Sequence, residues 1–140
     1  MKWFGENPTG LPREALPTDN KAVGNLGEEV AVTFLEKRRY CILERNFRCK
    51  GGEVDIIARD PGDKSLVFIE VKARKDLSYG VPQLAVTPFK QRQISKAALT
   101  WLSKKRLHDQ IARFDVIAIM LDDKGQHRVE HIENAFDVAY

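Results

Sequence analysis

Cysteine and histidine are scarce in this chain. The two cysteines, Cys41 and Cys49, have neither CxxC spacing nor a histidine beside them, so no disulfide framework or zinc motif is indicated and we expect reduced thiols. The three histidines are His108, His127 and His131. The last two are four residues apart in a predicted strand, a spacing that gives no particular advantage for chelation, so we expect all three on the surface.

A long apolar segment is also missing. No run reaches the roughly 18 residues that a membrane span requires. The first residues, MKWF, lead into no hydrophobic region of the signal-peptide type. We therefore expect a cytoplasmic protein that has no membrane partner.

Charge of one sign does not dominate the composition, but it is unevenly distributed. The 140 residues are 43% hydrophobic and 31% charged, with a net charge of +3, which suits a single soluble domain. Basic residues nevertheless cluster between positions 36 and 50, and the segment 88–106 has no acidic residue. Such stretches suit a polyanion such as DNA, and ordinary solvated helix faces are the equal alternative.

Two neighbouring segments carry acidic residues where buried strands should be apolar. They are GGEVDIIA at 51–58 and LVFIEVK at 66–72, and the polar turn 60–65 separates them. Strand-like segments that flank a dense turn signal predict an antiparallel hairpin.

A turn centred between positions 62 and 63 fixes which residues of this hairpin face each other. One face then pairs only apolar residues: Val54 with Val71, Ile56 with Ile69, and Ala58 with Val67. The other face pairs Asp55 with Glu70 and Glu53 with Lys72. A slip of one residue would mix the two faces, so the parity of the register is specified, and a slip of two stays open.

Two facing carboxylates suggest a bound cation. Asp55 and Glu70 would repel each other unless positive charge lay between them, and Mg²⁺ prefers one or two carboxylates completed by waters and phosphate oxygens. Lys72, on the face of Glu70, could stabilise the negative charge that develops on a phosphodiester or orient the attacking water. The alternative is a solvated sheet face, which we disfavour because Ile57 and Phe68 lie on that side.

These motifs resemble known families. An Asp that ends one strand, followed by Glu-x-Lys in the next, is similar to the PD-(D/E)xK nuclease superfamily, although Val54 stands where the name has proline. Over roughly residues 20–135 the chain more closely resembles the YraN family of bacterial proteins, which is similar to archaeal Holliday junction resolvases. The motifs that carry this resemblance are Gly24-x-x-Gly27-Glu28, Asn46-Phe47-Arg48, Gly52-Glu53-Val54-Asp55, Phe68-Ile69-Glu70-Val71-Lys72 and Arg113-Phe114-Asp115.

The resemblance implies a restriction-endonuclease-like fold and a metal-dependent nuclease. Asp55, Glu70 and Lys72 would be catalytic, and Asp55 and Glu70 would bind Mg²⁺ or Mn²⁺ with help from Glu28 on the first helix. A solvent-facing Glu28 is the alternative. Similarity to resolvases implies branched or junction DNA as substrate, for which a twofold homodimer would be suited.

The rest of the pattern predicts an α/β domain with a mixed sheet, in the order α-β-β-β-α-β-β. Residues 1–19, rich in proline and glycine, are expected to form an irregular N-terminal arm, and 20–140 a single nuclease-like domain. The elements are expected at these places: a helix at 21–39, a strand at 40–47, the hairpin, a loop at 73–86, a helix beginning at Thr87-Pro88, a central strand at 113–121 and an edge-like strand at 128–132.

Four further residues are predicted to contact the nucleic-acid backbone. They are Arg45 and Arg48 on the first strand and Lys90 and Gln93 on the second helix. Lys90 falls on the inward stripe near a helix N-terminus, where a cation is disfavoured, so we expect it to meet a carboxylate of the site or a substrate phosphate. A stem that extends over the sheet toward water is the alternative. Asp115 is expected to be structural, paired with Arg113 or Lys90.

Two other functions remain compatible with the sequence. A nucleic-acid-binding or adaptor protein could keep the nuclease fold with little or no turnover, because the basic stretches serve binding alone. A protein-interaction domain would be favoured if nucleic acid did not bind at low salt, where phosphate contacts are strongest.

Overall fold

The described part of the chain forms one mixed sheet with a helix on each face. The computed structural model describes residues 2–4, 20–75, 86–122, 124 and 126–139. In these ranges the elements are β1 (Lys2–Phe4), α1 (Asn20–Lys37), β2 (Cys41–Cys49), β3 (Gly52–Arg59), β4 (Leu66–Arg74), α2 (Pro88–Lys105), β5 (Ala112–Leu121) and β6 (His127–Phe136). From α1 onward the predicted order of elements is confirmed. The predicted loop begins later than expected, because Ala73 and Arg74 still belong to β4, and residues 76–85 lie outside the described ranges.

The strands lie in the order β1-β6-β5-β4-β3-β2. β4 and β5 are parallel, and the other neighbouring pairs are antiparallel. Parallel neighbours need a long crossover connection, and α2 lies within this one. The predicted central position of the strand at 113–121 is confirmed.

The N-terminal segment changes one edge of the sheet. Lys2, Trp3 and Phe4 pair with β6, so β6 is not the edge strand that the sequence predicts, and an irregular arm is wrong for these three residues. The unpaired backbone of a final strand offers a template for another strand, and the three residues occupy it. The remainder of the predicted arm, residues 1 and 5–19, lies outside the described part of the chain.

Two apolar layers hold the helices against the sheet. Val67 and Ile69 of β4 pack toward α1, whereas Leu66 and Phe68 pack toward α2. A strand that is buried on both faces reads as a continuous apolar run. A charged residue in such a strand therefore lies inside the protein, and this is the setting of Glu70.

The start of α2 follows from its capping residues. The Thr87 side chain accepts a hydrogen bond from the backbone N–H of Lys90 at 3.1 Å, and Pro88 occupies the first turn, as predicted. The helix ends at Lys105, and the residue that caps it, Arg106, has a left-handed φ of 56°. This start places Lys90 in the first turn, facing the sheet.

Neither helix of the described ranges has the length and apolar character that a membrane crossing would require.

Candidate functional site

The site lies where β3 and β4 separate. Backbone pairing joins these strands from Arg59 and Leu66 as far as Ile56 and Ile69, in the predicted register. Beyond Ile56 the ladder ends. The two strands therefore diverge at the point where the acidic residues begin.

At this point a side-chain oxygen replaces a backbone carbonyl as the hydrogen-bond acceptor. Asp55 Oδ2 accepts a hydrogen bond from the backbone N–H of Val71 at 2.8 Å. The predicted pairing of Asp55 with Glu70 in the ladder is therefore wrong, as are the pairings of Val54 with Val71 and of Glu53 with Lys72. The physical reason is that the Asp55 carboxylate replaces a main-chain carbonyl as acceptor, and two adjacent carboxylates favour wider spacing.

Glu70 is an acid held inside the protein, with only 3% of its surface exposed. Burial raises its pKa well above the ordinary value, and a hydrogen bond and charge repulsion from Asp55 raise it further. Lys90 and Lys72 act in the opposite direction. Asp55 and Glu70, the predicted pair, are thus brought together, although through their side chains and not through the ladder.

One oxygen of Glu70 has no hydrogen-bond donor. Oε2 is buried and unsatisfied, and the nearest cation is Lys90 Nζ, 3.5 Å away, at ion-pair distance. A buried acceptor in this condition is costly. It indicates a place that a donor or a cation could fill.

Lys90 lies between two acidic residues. Its ammonium group forms a hydrogen-bonded ion pair with Glu53 as well as the longer contact to Glu70. Of the two anions that the sequence left open for Lys90, the structure brings it to the carboxylates of the site. Gly52 permits this approach, because a Cβ there would stand 2.8 Å from the Ala97 nitrogen and the Gln93 carbonyl oxygen of α2.

Glu53 has different partners from the one predicted. The sequence placed it opposite Lys72, but it pairs with Lys90 and, at 3.8 Å, with Arg48 of β2. The hydrogen bond from Lys90 is the main reason that the pKa of Glu53 is lowered. Arg48 is largely exposed, as a residue that contacts an external phosphate should be.

Lys72 retains the position that the alternation of β4 assigns to it. It lies on the same side as Glu70, close enough to lower the pKa values of both Glu70 and Glu53. Among the residues that the structure describes, Lys72 has no ion-pair partner. Its charge is therefore available to a ligand at the site.

Glu28 is brought near the site by a close helix approach. A Cβ at Gly27 would lie 2.3 Å from Cβ of Ala73, so only glycine lets α1 approach β4 so closely. The Glu28 side chain is 13% exposed, against 53% for the neighbouring Glu29, so Glu28 is the more buried of the two. Burial is the main cause that raises the pKa of Glu28, and the charge of Asp55 adds to it.

Arg45 forms ion pairs with acidic residues of the protein itself. It was predicted to contact a phosphate, yet it pairs with Glu28 at 3.3 Å and with Glu29. The Asn46 side chain donates to the same Glu28 oxygen at 2.9 Å, and its backbone φ of 54° lies in the region that asparagine tolerates. β2 therefore holds Glu28 in place, a role for Asn46 that sequence reasoning missed.

The donor set fits a divalent cation in part. Asp55 and Glu70 supply adjacent oxygen ligands, and the unsatisfied Glu70 oxygen is a ready coordination point. Mg²⁺ is commonly held by one or two carboxylates together with waters and substrate oxygens. Within the described ranges, however, no group of three His, Cys, Asp or Glu side chains converges on one point, so Glu28 does not complete a three-residue cluster.

A separate polar cluster lies on the α1 face of the sheet. Asp115, fully buried, accepts hydrogen bonds from the Arg113 side chain at 3.0 Å and from the Asn134 backbone, and His131 Nε2 lies 2.7 Å from its Oδ2. Arg113 also donates to Asp60 and Tyr40. The predicted pairing of Asp115 with Arg113 is confirmed.

Two histidine predictions are wrong. His131 packs against the rings of Phe34 and Tyr40, and His127 is 4% exposed, so neither is a surface residue. The signal was present in the sequence, because both share a strand face with the apolar Val129. His108 is exposed, as predicted.

Fold and site together define a mixed α/β protein in which a buried carboxylate, Glu70, adjoins the half-buried Asp55 at the divergence of two strands. The chain belongs to the uncharacterised protein family UPF0102, which it matches over residues 27–119. The resemblance to YraN proteins is confirmed at this level.

Relatives in several bacteria match most or all of the chain. It is 64% identical to a UPF0102 protein of Pelobacter propionicus over 140 residues, the full length of both chains. It is 62% identical to one of Geobacter sulfurreducens over 121 residues, which cover 86% of this chain and 93% of that protein. A UPF0102 protein of Clostridium botulinum is 46% identical over 85% of this chain and 97% of its own length.

Proposed function

We propose that this protein is a metal-dependent endonuclease with a restriction-endonuclease-like fold. The observation that carries the proposal is the buried Glu70, which has one unsatisfied oxygen and interacts with Asp55 at the divergence of β3 and β4. A buried acid beside a second, half-buried acid is unfavourable without positive charge between them. A divalent cation is the partner that these oxygen ligands suit best.

Each residue of the site has a part in this proposal. Asp55 and Glu70 hold the cation, and Asp55 is itself fixed by the Val71 N–H. When bound, Mg²⁺ or Mn²⁺ would supply Lewis-acid polarisation of a phosphodiester oxygen. Lys72 stabilises negative charge on the phosphate or orients the attacking water. Glu28 acts as an outer support or a further ligand.

The basic residues give the proposal a substrate class. Arg48 is exposed beside the site. Helix α2 carries the basic residues Lys90 and Lys96 and has no acidic residue along its length. Such a surface favours nucleic acid. DNA, in branched or junction form, is the substrate to which the similarity to resolvases points, and a homodimer would present two sites to it.

A catalytically inactive nucleic-acid-binding or adaptor protein is the second candidate. The Lys90 contact favours it, because this ammonium group already neutralises Glu53 and partly neutralises Glu70. Arg45 and Asn46 likewise satisfy Glu28. In such a protein the acidic residues would serve structure, and no cation would be needed.

Cleavage assays separate the two candidates. Single-stranded, duplex and four-way-junction DNA, with matched RNA, would be incubated with Mg²⁺, Mn²⁺ or EDTA. The proposal expects metal-dependent cleavage that falls at least about 100-fold in Asp55→Asn and Lys72→Gln. Asp109→Asn and Lys64→Gln, exposed residues outside the site, are the matched controls. Binding without cleavage, unchanged by these substitutions, would favour the adaptor.

A further inference from the structure

The outer face of α2 carries a groove that lies apart from Asp55, Glu70 and Lys72. Its volume is about 430 Å³, and its wall includes Phe89, Arg92, Gln93, Lys96 and Leu99. These positions share one helix face because they are spaced by three or four residues. From Phe89 to Leu99 the helix rises about 15 Å, which gives room for a few nucleotides.

The side chains of the groove combine an exposed ring with positive charge. Phe89 is 63% exposed, and Arg92 and Lys96 are exposed in the turns that follow it. No acidic residue occurs in α2. An aromatic face set among cations is the combination by which proteins bind single-stranded nucleic acid, the ring for a base and the cations for the phosphates.

The groove adjoins the proposed site. Phe89 precedes Lys90, whose ammonium group contacts Glu53 and Glu70. Gly51, whose φ of 76° makes the turn into β3, lines the groove beside Lys96. A strand that followed the groove past Phe89 would therefore arrive at the carboxylate pair.

We infer that this groove binds an unpaired, single-stranded segment of nucleic acid, with one base stacked on Phe89 and its phosphates beside Arg92 and Lys96. The inference rests on the proposed function, since it defines the substrate of the same site as one with an unpaired segment. A duplex fits the groove less well, because its bases are stacked on each other and do not offer a free face to the Phe89 ring.

Binding measurements without metal test this inference apart from cleavage. Fluorescence anisotropy in EDTA would compare a short labelled single strand with the duplex of the same sequence at low salt. The single strand should bind more tightly. Phe89→Ala should weaken its binding at least about five-fold, the lower end of what a stacked base contributes, whereas Phe89→Tyr keeps the ring and should bind as wild type does. Ile111→Ala, 75% exposed outside the groove, should have no effect.

The salt dependence tests the two cations. Arg92→Gln and Lys96→Gln should each lower the slope of log K against log salt concentration by about 0.7, the value for one phosphate contact on a single strand. Lys64→Gln, in the turn at the other end of the β3–β4 hairpin, should leave the slope unchanged. A circular dichroism spectrum would be recorded for each variant, because a loss of fold would change it.

Three outcomes would overturn the inference: equal affinity for duplex and single strand, unchanged affinity in Phe89→Ala, or no binding at low salt. The last would also direct attention to a protein partner. Failure of the proposed function is distinguishable from failure of this inference. If the single strand binds through Phe89 but is not cleaved with metal, the groove is supported and the nuclease function is contradicted. If cleavage depends on Asp55 but not on Phe89, the nuclease function is supported and the role of the groove is contradicted.

Discussion

The Asp55 carboxylate accepts the backbone N–H of Val71, at 2.8 Å, where a main-chain carbonyl of β3 would otherwise pair with β4. This one contact fixes the side chain of Asp55 and also marks the end of the strand pairing. Glu70, the residue before Val71, consequently faces Asp55 from inside the protein. The geometry of the site thus follows from a local exchange of acceptors within the hairpin.

Glu70 should oppose folding in the absence of metal. Glu70→Gln removes a buried acid whose Oε2 has no donor, so at pH 7 in EDTA the free energy of unfolding should rise by on the order of 1 kcal/mol. Urea denaturation measures this change. Mg²⁺ at ten times its Kd should stabilise the wild type by about 1.4 kcal/mol, and it should not stabilise the variant.

The control for this substitution is Glu36→Gln on the exposed face of α1. It should leave both the free energy of unfolding and the response to Mg²⁺ unchanged. A wild type that Mg²⁺ and Mn²⁺ fail to stabilise would contradict the metal site.

Lys90 should substitute for the cation in the metal-free protein. Lys90→Met leaves Glu53 and the buried Glu70 without their ammonium partner, so in EDTA it should destabilise the protein by about 1–3 kcal/mol. Mg²⁺ should restore part of that loss, because the cation then neutralises Glu70. Thermal unfolding with and without Mg²⁺ measures both effects.

Lys96→Met, an exposed lysine of the same helix, provides the comparison for Lys90. It should be close to neutral in both conditions. If Mg²⁺ restores nothing to Lys90→Met, the ammonium group is a structural partner, as in an inactive adaptor.

The sequence predicted the parts of this fold that local patterns determine. The helix start at Thr87-Pro88 was available from capping chemistry, and the hairpin register from apolar alternation with a turn signal. These features depend on residues near one another in the chain.

Long-range contacts account for what was missed. Nothing in the alternation of β3 indicates that Asp55 replaces the backbone at Val71. Helix α2 packs closely over Gly52, and this packing brings Lys90 to Glu53. The two residues are 37 positions apart in the chain, so local patterns do not predict the contact. The strand at residues 2–4 likewise pairs with β6, which is more than 120 residues away in the chain.

Gly27 should be intolerant of even one methyl group. The Cβ of Gly27→Ala would lie 2.3 Å from that of Ala73, so α1 must move, at a cost of about 1–3 kcal/mol. Gly24→Ala, in the same helix but with open space around its Cβ, should instead stabilise by about 0.5–1 kcal/mol. Urea denaturation should show a lower free energy of unfolding for Gly27→Ala and a higher one for Gly24→Ala.

The double variant Gly27→Ala with Ala73→Gly tests the stated cause. Removal of the methyl group from Ala73 should recover most of the lost stability, because the two Cβ atoms no longer compete for space. A loss that persists in the double variant would place the strain elsewhere in the helix.

Asp115 should control stability toward acid and leave the metal response alone. Although burial acts against it, hydrogen bonds from His131 and Arg113 lower the pKa of Asp115 below its ordinary value. A group whose pKa is lower in the folded state stabilises the protein above its unfolded pKa, near 3.9, and loses that contribution as pH falls through the folded value. Stability should therefore fall below about pH 4, and Asp115→Asn should flatten that part of the profile.

At pH 7 the same variant should lose about 3–5 kcal/mol, because Arg113 is left without its main buried partner. The stabilisation that Mg²⁺ gives should nevertheless persist, since Asp115 lies on the α1 face of the sheet and Glu70 on the α2 face. Urea titrations across pH, with exposed Asp109→Asn as the control, measure both quantities. A variant that kept its stability but lost the response to Mg²⁺ would place Asp115 in the metal site and contradict this assignment.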